Sequence, residues 1–205
     1  GYAAVRMENY AAGATDLREA HRRMLAKGVH GEMLIDLLEP LGAVENIEGH
    51  AEVSLALARE ALAARIAIWG PDDRRVGTGY NDVASQLEGT ERYAEAATMW
   101  QHTYRFQLAH WGPDSNETAL ALAGWASAEF RAGHWRHADD LFGRALALYA
   151  HNGYRPQVTE VYAAQKACFL AGLRDDRPAA DTRCRLARDL SASGFGTDSA
   201  LYGDS

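Results

Sequence analysis

The sequence predicts an all-α chain of four to five helical hairpins stacked side by side. Three observations lead there. The tetrapeptide Trp-Gly-Pro-Asp occurs twice, at 69–72 and 111–114, so the copies stand 42 residues apart. The same step relates the residues that flank both copies. Within each period the larger apolar residues return at three- and four-residue intervals, the helical rhythm.

Composition admits such a fold and excludes several functions. The 205 residues are 47% apolar and 24% charged, ordinary values for a soluble globular protein. A net charge of −7 argues against an electrostatic grip on nucleic acid or anionic membrane. The basic residues make no run longer than Arg22-Arg23 and Arg74-Arg75. No apolar stretch approaches the ~18 residues of a membrane span. The opening GYAAVRMENYAAG lacks the basic start and apolar segment of a signal peptide, and it lacks an initiator Met. The expectation is a cytoplasmic piece excised from a longer chain. Cys168 and Cys184 are too few for a disulfide framework and fit a reducing compartment. Two small buried thiols are the favoured reading over a bridge, although a bridge is geometrically conceivable. The Asn116-Glu117-Thr118 sequon means nothing without secretion.

The elements follow in order. Residues 1–30 form a shorter unit, through Ala20 and Met24. Residues 31–72 keep small residues at Gly42, Ser54, Ala58 and Ala61, but Pro40 should kink or restart the first helix. Residues 73–113 read as a helix over RRVGTGYNDVASQLEG, a stop at Gly89-Thr90, and a second helix carrying Tyr93, Ala97, Trp100, Tyr104 and Leu108. Residues 114–154 repeat this with SNETALALAGWASAEFRAG, a stop at Gly133 in a turn one residue shorter, and Trp135, Ala138, Leu141, Phe142, Ala145 and Tyr149. Residues 155–193 keep Cys168, Ala180, Cys184 and Ala187, with Arg177 where an aromatic is expected; 194–205 form a polar tail. The step of 42 links Val83 to Trp125, Ala84 to Ala126, Tyr93 to Trp135 and Ala96 to Ala138. Small residues recur where small residues stood, which marks close helix crossings.

The tetrapeptide is a connector. Gly70 and Gly112 adopt the left-handed geometry that ends a helix, and Pro71 and Pro113 forbid its continuation. Asp114 caps the next helix, with Glu117 three residues on; Asp72 or Asp73 does the same in the earlier copy. Trp69 and Trp111 cover the junction between hairpins, and most of the five tryptophans belong to the core.

These features together resemble tetratricopeptide repeats (TPRs), and the spacing is similar to the kinesin-light-chain variety in particular. Residues 73–111 carry the resemblance best, through Val83-Ala84, Leu87, Tyr93, Ala96 and Trp100. It implies a right-handed α-α superhelix, a bacterial multidomain signalling parent, and a concave face lined by the first helix of each unit. Side chains there bind a peptide or protein segment. In the family an Asn on that helix clamps the bound backbone; Asn81 holds the matching position, followed by Ala123 and Gln165. The flanking candidates are Thr78, Ser85 and Glu88, then Leu120, Ser127, Phe130 and Arg131, then Tyr162, Lys166 and Phe169.

The expected function is therefore a protein-interaction module, with no catalysis and no cofactor. Self-association, or a sensor role in a larger signalling chain, is the first alternative; an enzyme or metal protein on a helical scaffold is the second. His134 and His137 share a helical face at i, i+3, but zinc wants three or four ligands, and no metal is expected. GxxxxGK[ST], GxSxG and CxxC are absent, and Gly77-Thr78-Gly79 follows no strand.

Overall fold

The computed structural model describes the backbone of residues 2–151, 158–173 and 177–195, with side chains over 13–151, 161–173 and most of 178–189. All regular structure among these residues is helical. They divide into two compact units, Gly1–Arg92 and Tyr93–Ser205. The first holds α1 (Tyr2–Ala26), α2 (Glu32–Ile47), α3 (Ala51–Trp69), a 3-10 turn (Arg74–Val76) and α4 (Gly77–Gly89). The second holds α5 (Tyr93–Trp111), α6 (Asn116–Arg131), α7 (Trp135–His151), α8 (Val158–Leu173) and α9 (Arg177–Phe195). Within each unit consecutive helices pack on one another, and α8 also touches α6.

The core of the first unit gathers Leu34, Leu38 and Leu41 of α2 with Leu57 and Ala61 of α3, and Leu17 and Met24 of α1 pack on it. Small residues let α2 and α3 cross closely: the buried Ser54 hydroxyl donates to the Gly42 carbonyl at 2.8 Å. Two periods later Ala126 and Ala138, both fully buried, occupy the same positions in α6 and α7. Leu141, Phe142 and Ala145 complete the buried face of α7.

Helix α2 continues through Pro40, so of the kink or restart that the sequence suggests there the restart does not occur. The carbonyl that Pro40 deprives of its partner belongs to Asp36, on the exposed side of the helix, where water can replace the bond.

Both tetrapeptide glycines end their helices in the left-handed region, Gly70 at φ 85° and Gly112 at φ 83°. The caps that follow differ. Asp73 heads the 3-10 turn, accepting from the Arg75 amide at 2.9 Å and from its guanidinium; these bonds hold its carboxyl well below the usual range. Ahead of α6 the cap is Ser115, which accepts from the Thr118 amide at 3.1 Å, and not Asp114. The helix starts one residue later than the Asp-x-x-Glu spacing suggests, because Thr118 also donates to the Gly112 carbonyl and draws that turn closed.

The turns inside the hairpins repeat closely. His50, Arg92 and His134 each donate a backbone N–H to Glu45, Leu87 and Glu129, at 2.8, 3.0 and 2.9 Å. One residue earlier stand Gly49, Glu91 and Gly133, with φ of 84°, 60° and 86°. All three sets lie 42 residues apart, so the third turn is as long as the second and not one residue shorter. The left-handed stop of α4 is Glu91, a non-glycine residue, rather than Gly89.

Two sequence expectations about side chains need correction. Trp100 and Trp125 are buried, but Trp111 and Trp135 are 42% and 56% exposed and Trp69 is half-buried, so the core holds two of the five tryptophans and not most of them. Trp135 is the first residue of α7, and the buried face of that helix begins only at Ala138. Trp69 is half-buried, with the Arg75 guanidinium 4.6 Å from its ring. Cys168 and Cys184 are not free thiols: they form a disulfide that ties α8 to α9. Residues 196–205 lie outside the described residues.

Candidate functional site

On the second unit, α6 and α8 lie side by side and bring most of the sequence candidates together. Phe130 and Phe169 meet edge to face, ring centroids 6.0 Å apart. The Lys166 ammonium sits 5.7 Å from the Phe130 ring and 5.0 Å from Tyr162. Each such contact stabilises the pairing by about 0.5–1 kcal/mol at an exposed position. Phe169 is nonetheless 53% exposed, a large apolar side chain that the fold itself does not cover. Arg131 is committed within the unit: it donates to the Tyr93 hydroxyl at 2.8 Å and lies over that ring. Ser127 and Gln165 are half-buried beside them.

On the first unit, α2 and α4 flank a cleft of about 390 Å³ floored by α3. Its walls carry Glu39 on α2 and Thr78, Asp82 and Gln86 on α4; Ala43, Ala58 and Ala61 are among its apolar lining. Of the α4 candidates read from the sequence, only Thr78 lines this cleft. Asn81 keeps its amide oxygen buried and without a hydrogen bond, Ser85 is exposed and Glu88 is half-buried. The α4 wall of the cleft is thus the stripe Thr78, Asp82 and Gln86.

Beneath the cleft lies Arg65, which sequence reasoning missed. It is 5% exposed, and one guanidinium nitrogen donates to Glu39 while the other, Nη1, has no partner among the described residues. Burial pulls its pKa down, against the attraction of Asp82 and Asp36. Burial likewise pushes the Asp82 carboxyl up, only partly offset by Arg65. The usable signal was a charge inside the apolar run ALAARIAIW. One and two periods later Gln107 and Tyr149 put polar groups at the same place.

His134 and His137 converge on one carboxylate. Glu129 receives His134 Nδ1 at 2.7 Å, the Trp125 indole N–H at 3.0 Å, and His137 Nδ1 at 3.4 Å. Burial raises the Glu129 pKa, but these donors outweigh it and hold the group below its ordinary value. Among the described residues, three ligand atoms come within reach of a common ion only at Glu45, Glu48 and His50. There the Arg18 guanidinium already bonds both carboxylates, so a cation is in place without a metal.

No family model matches this sequence. Solved structures do match its fold. The kinesin-light-chain TPR-like repeats of Podospora anserina superpose with a TM-score of 0.73 at 12% identity, covering 91% of this chain and 89% of theirs. BtubC from P. vanneervenii gives 0.69 at 17% identity, covering 89% of this chain and 72% of its own. The chain carries TPR-like repeats. RapI, in its apo form, gives a TM-score of 0.77 at 12% identity over 97% of this chain, which spans 53% of the RapI chain. A Rap protein complexed with competence and sporulation factor gives 0.69 at 14% identity, and this chain spans 51% of it. At these identities the likeness establishes the TPR-like fold.

Proposed function

We propose that this chain is a protein-interaction module that captures a segment of another protein on the exposed faces of its first-position helices. The observation that carries this reading is Phe169. A phenylalanine half in water, edge-on to Phe130 and beside the Lys166 cation that spans Phe130 and Tyr162, is costly to leave uncovered, and contact by a partner removes that cost. The Rap protein seen with competence and sporulation factor has the same fold engaged with a factor, which supports the reading by analogy of fold alone.

The test is a bait comparison. Wild type, Phe169→Ala and Lys166→Glu are immobilised and exposed to extract of the source cells. A protein retained by wild type and lost from both variants is the expected result. Retention unchanged in both means that the α6–α8 face is not the contact. Light scattering across concentration separates this reading from self-association: a monomer is expected, and a dimer dispersed by the same substitutions points to a second copy instead.

A further inference from the structure

We propose that the cleft between α2 and α4 is a pocket for one basic side chain, Lys or Arg, of the captured segment; the proposal rests on the protein-binding reading above and names what the first unit recognises. Four observations carry it. Asp82 lines the cleft, half-buried, and among the described residues no hydrogen bond or ion pair satisfies its carboxylate. Glu39 lines the wall formed by α2, and Asp36 adds its field from the same helix. Glu39 and Asp82 are the charged residues of the lining, and among the described residues the cation that acts on them is Arg65, so the cleft is net negative and favours a cationic guest.

Arg65 is held within the fold. Its stem runs under α4, where a methyl on Gly79 would stand 3.3 Å from Arg65 Cδ, and its head meets the cleft wall at Glu39. The side chain is 93% buried, yet Nη1 has no acceptor. A buried guanidinium donor left unmade costs stability, but Nη1 lies below the surface, so the guest is held by the carboxylates and not by Arg65. The apolar floor of Ala43, Ala58 and Ala61 suits the methylene stem of Lys or Arg, whose head reaches the carboxylates. The cleft volume of about 390 Å³ holds such a side chain with part of its backbone. An acidic guest meets like charge, and a purely apolar guest leaves Asp82 unpaired in a drier site.

The experiment is an amide-resolved NMR titration of the full chain with the probe Ac-Ala-Ala-Lys-Ala-Ala-NH2 and its central-Arg, norleucine and Glu versions. Expected are shifts at the amides around Glu39 and Asp82 with the Lys and Arg peptides. Affinity should be at least about tenfold weaker for norleucine and absent for Glu. Asp82→Asn should abolish the preference for Lys over norleucine, and Glu39→Gln should reduce it, with thermal melts confirming that both variants fold. Equal titration by Lys and norleucine peptides overturns the proposal, as does a Lys preference that survives in both variants. If the Lys peptide is silent while Phe169→Ala still releases a retained partner, the pocket assignment fails and the interaction reading stands. If the Lys peptide binds and no partner depends on Phe169, the cleft stands and the α6–α8 reading fails.

Discussion

The indole of Trp100 on α5 occupies the space that a side chain at Gly124 on α6 would need. A Cβ at Gly124 would stand 2.5 Å from Trp100 Cε2 and 2.6 Å from Cδ2, closer than any real contact, and Trp100 is only 5% exposed. Gly124 is in a helix, so its value here is lack of volume and not backbone freedom. Gly124→Ala must therefore displace a buried indole. Overpacking of this kind costs about 1–3 kcal/mol, visible as a lower denaturation midpoint and a red-shifted tryptophan emission. A midpoint equal to wild type would show that the two helices part freely.

Glu91 offers a gain of the opposite sign. It holds φ at 60°, where Gly49 and Gly133 stand one period before and after. A side chain in the left-handed region carries a strain that glycine does not. Glu91→Gly is expected to stabilise by about 0.5–1 kcal/mol after the extra entropy of the unfolded chain is deducted. Gly133→Ala should cost a similar amount, and urea denaturation of the pair checks both signs.

The carboxyl of Asp82 is pushed up by burial. Its folded pKa exceeds its unfolded one, so the ionised form weighs against folding above the folded pKa, and that penalty disappears once pH falls below the unfolded value, about 4. Asp82→Asn should raise the melting temperature at pH 7 and give no advantage near about pH 3. A variant less stable than wild type at pH 7 would mean that the longer-range attraction of Arg65 outweighs the burial of Asp82.

Glu129 behaves in reverse. Despite its burial, His134, Trp125 and His137 hold its pKa below the ordinary value. The stability it contributes is present above the unfolded Glu pKa, about 4.3, and is lost as pH falls through the folded value. Glu129→Gln should therefore lower the melting temperature at neutral pH and flatten its decline on acidification. Parallel melting curves for the two proteins at every pH would refute the assignment.

The Cys168–Cys184 bridge closes a loop of about 15 residues, for which the chain-entropy model gives about 3 kcal/mol. Reduction of the wild type should lower its melting temperature to that of Cys168→Ser/Cys184→Ser, and the double variant should ignore the reductant. A wild type insensitive to reductant shows that the bridge adds nothing to the stability of α8 and α9.

The helices were legible in the sequence because period and punctuation agreed: Gly70 and Gly112 stop helices as their Trp-Gly-Pro-Asp context predicts, and Ala126 and Ala138 are buried where the 42-residue step puts small residues. What stayed hidden depends on geometry that no spacing carries. The cap moved from Asp114 to Ser115 because of a hydroxyl bond to Gly112. Pro40 was tolerated because its helix face is exposed. Asp82 was passed over because Asn81, one position away, matched a family pattern, while the cleft is lined by Thr78, Asp82 and Gln86. The bridge was underrated because two cysteines in a chain of ordinary composition give no reason to pair them.

Arg65, Gln107 and Tyr149 occupy one register in three hairpins, and each is different. Repeats this alike can trade places while folding, since their apolar faces are nearly interchangeable. An odd polar group at a shared address breaks that degeneracy: a hairpin seated out of turn takes the Arg65 stem away from Gly79 of the next hairpin, where a methyl would stand 3.3 Å from its Cδ. The order of the repeats is thus written into the interior as a set of mismatched keys.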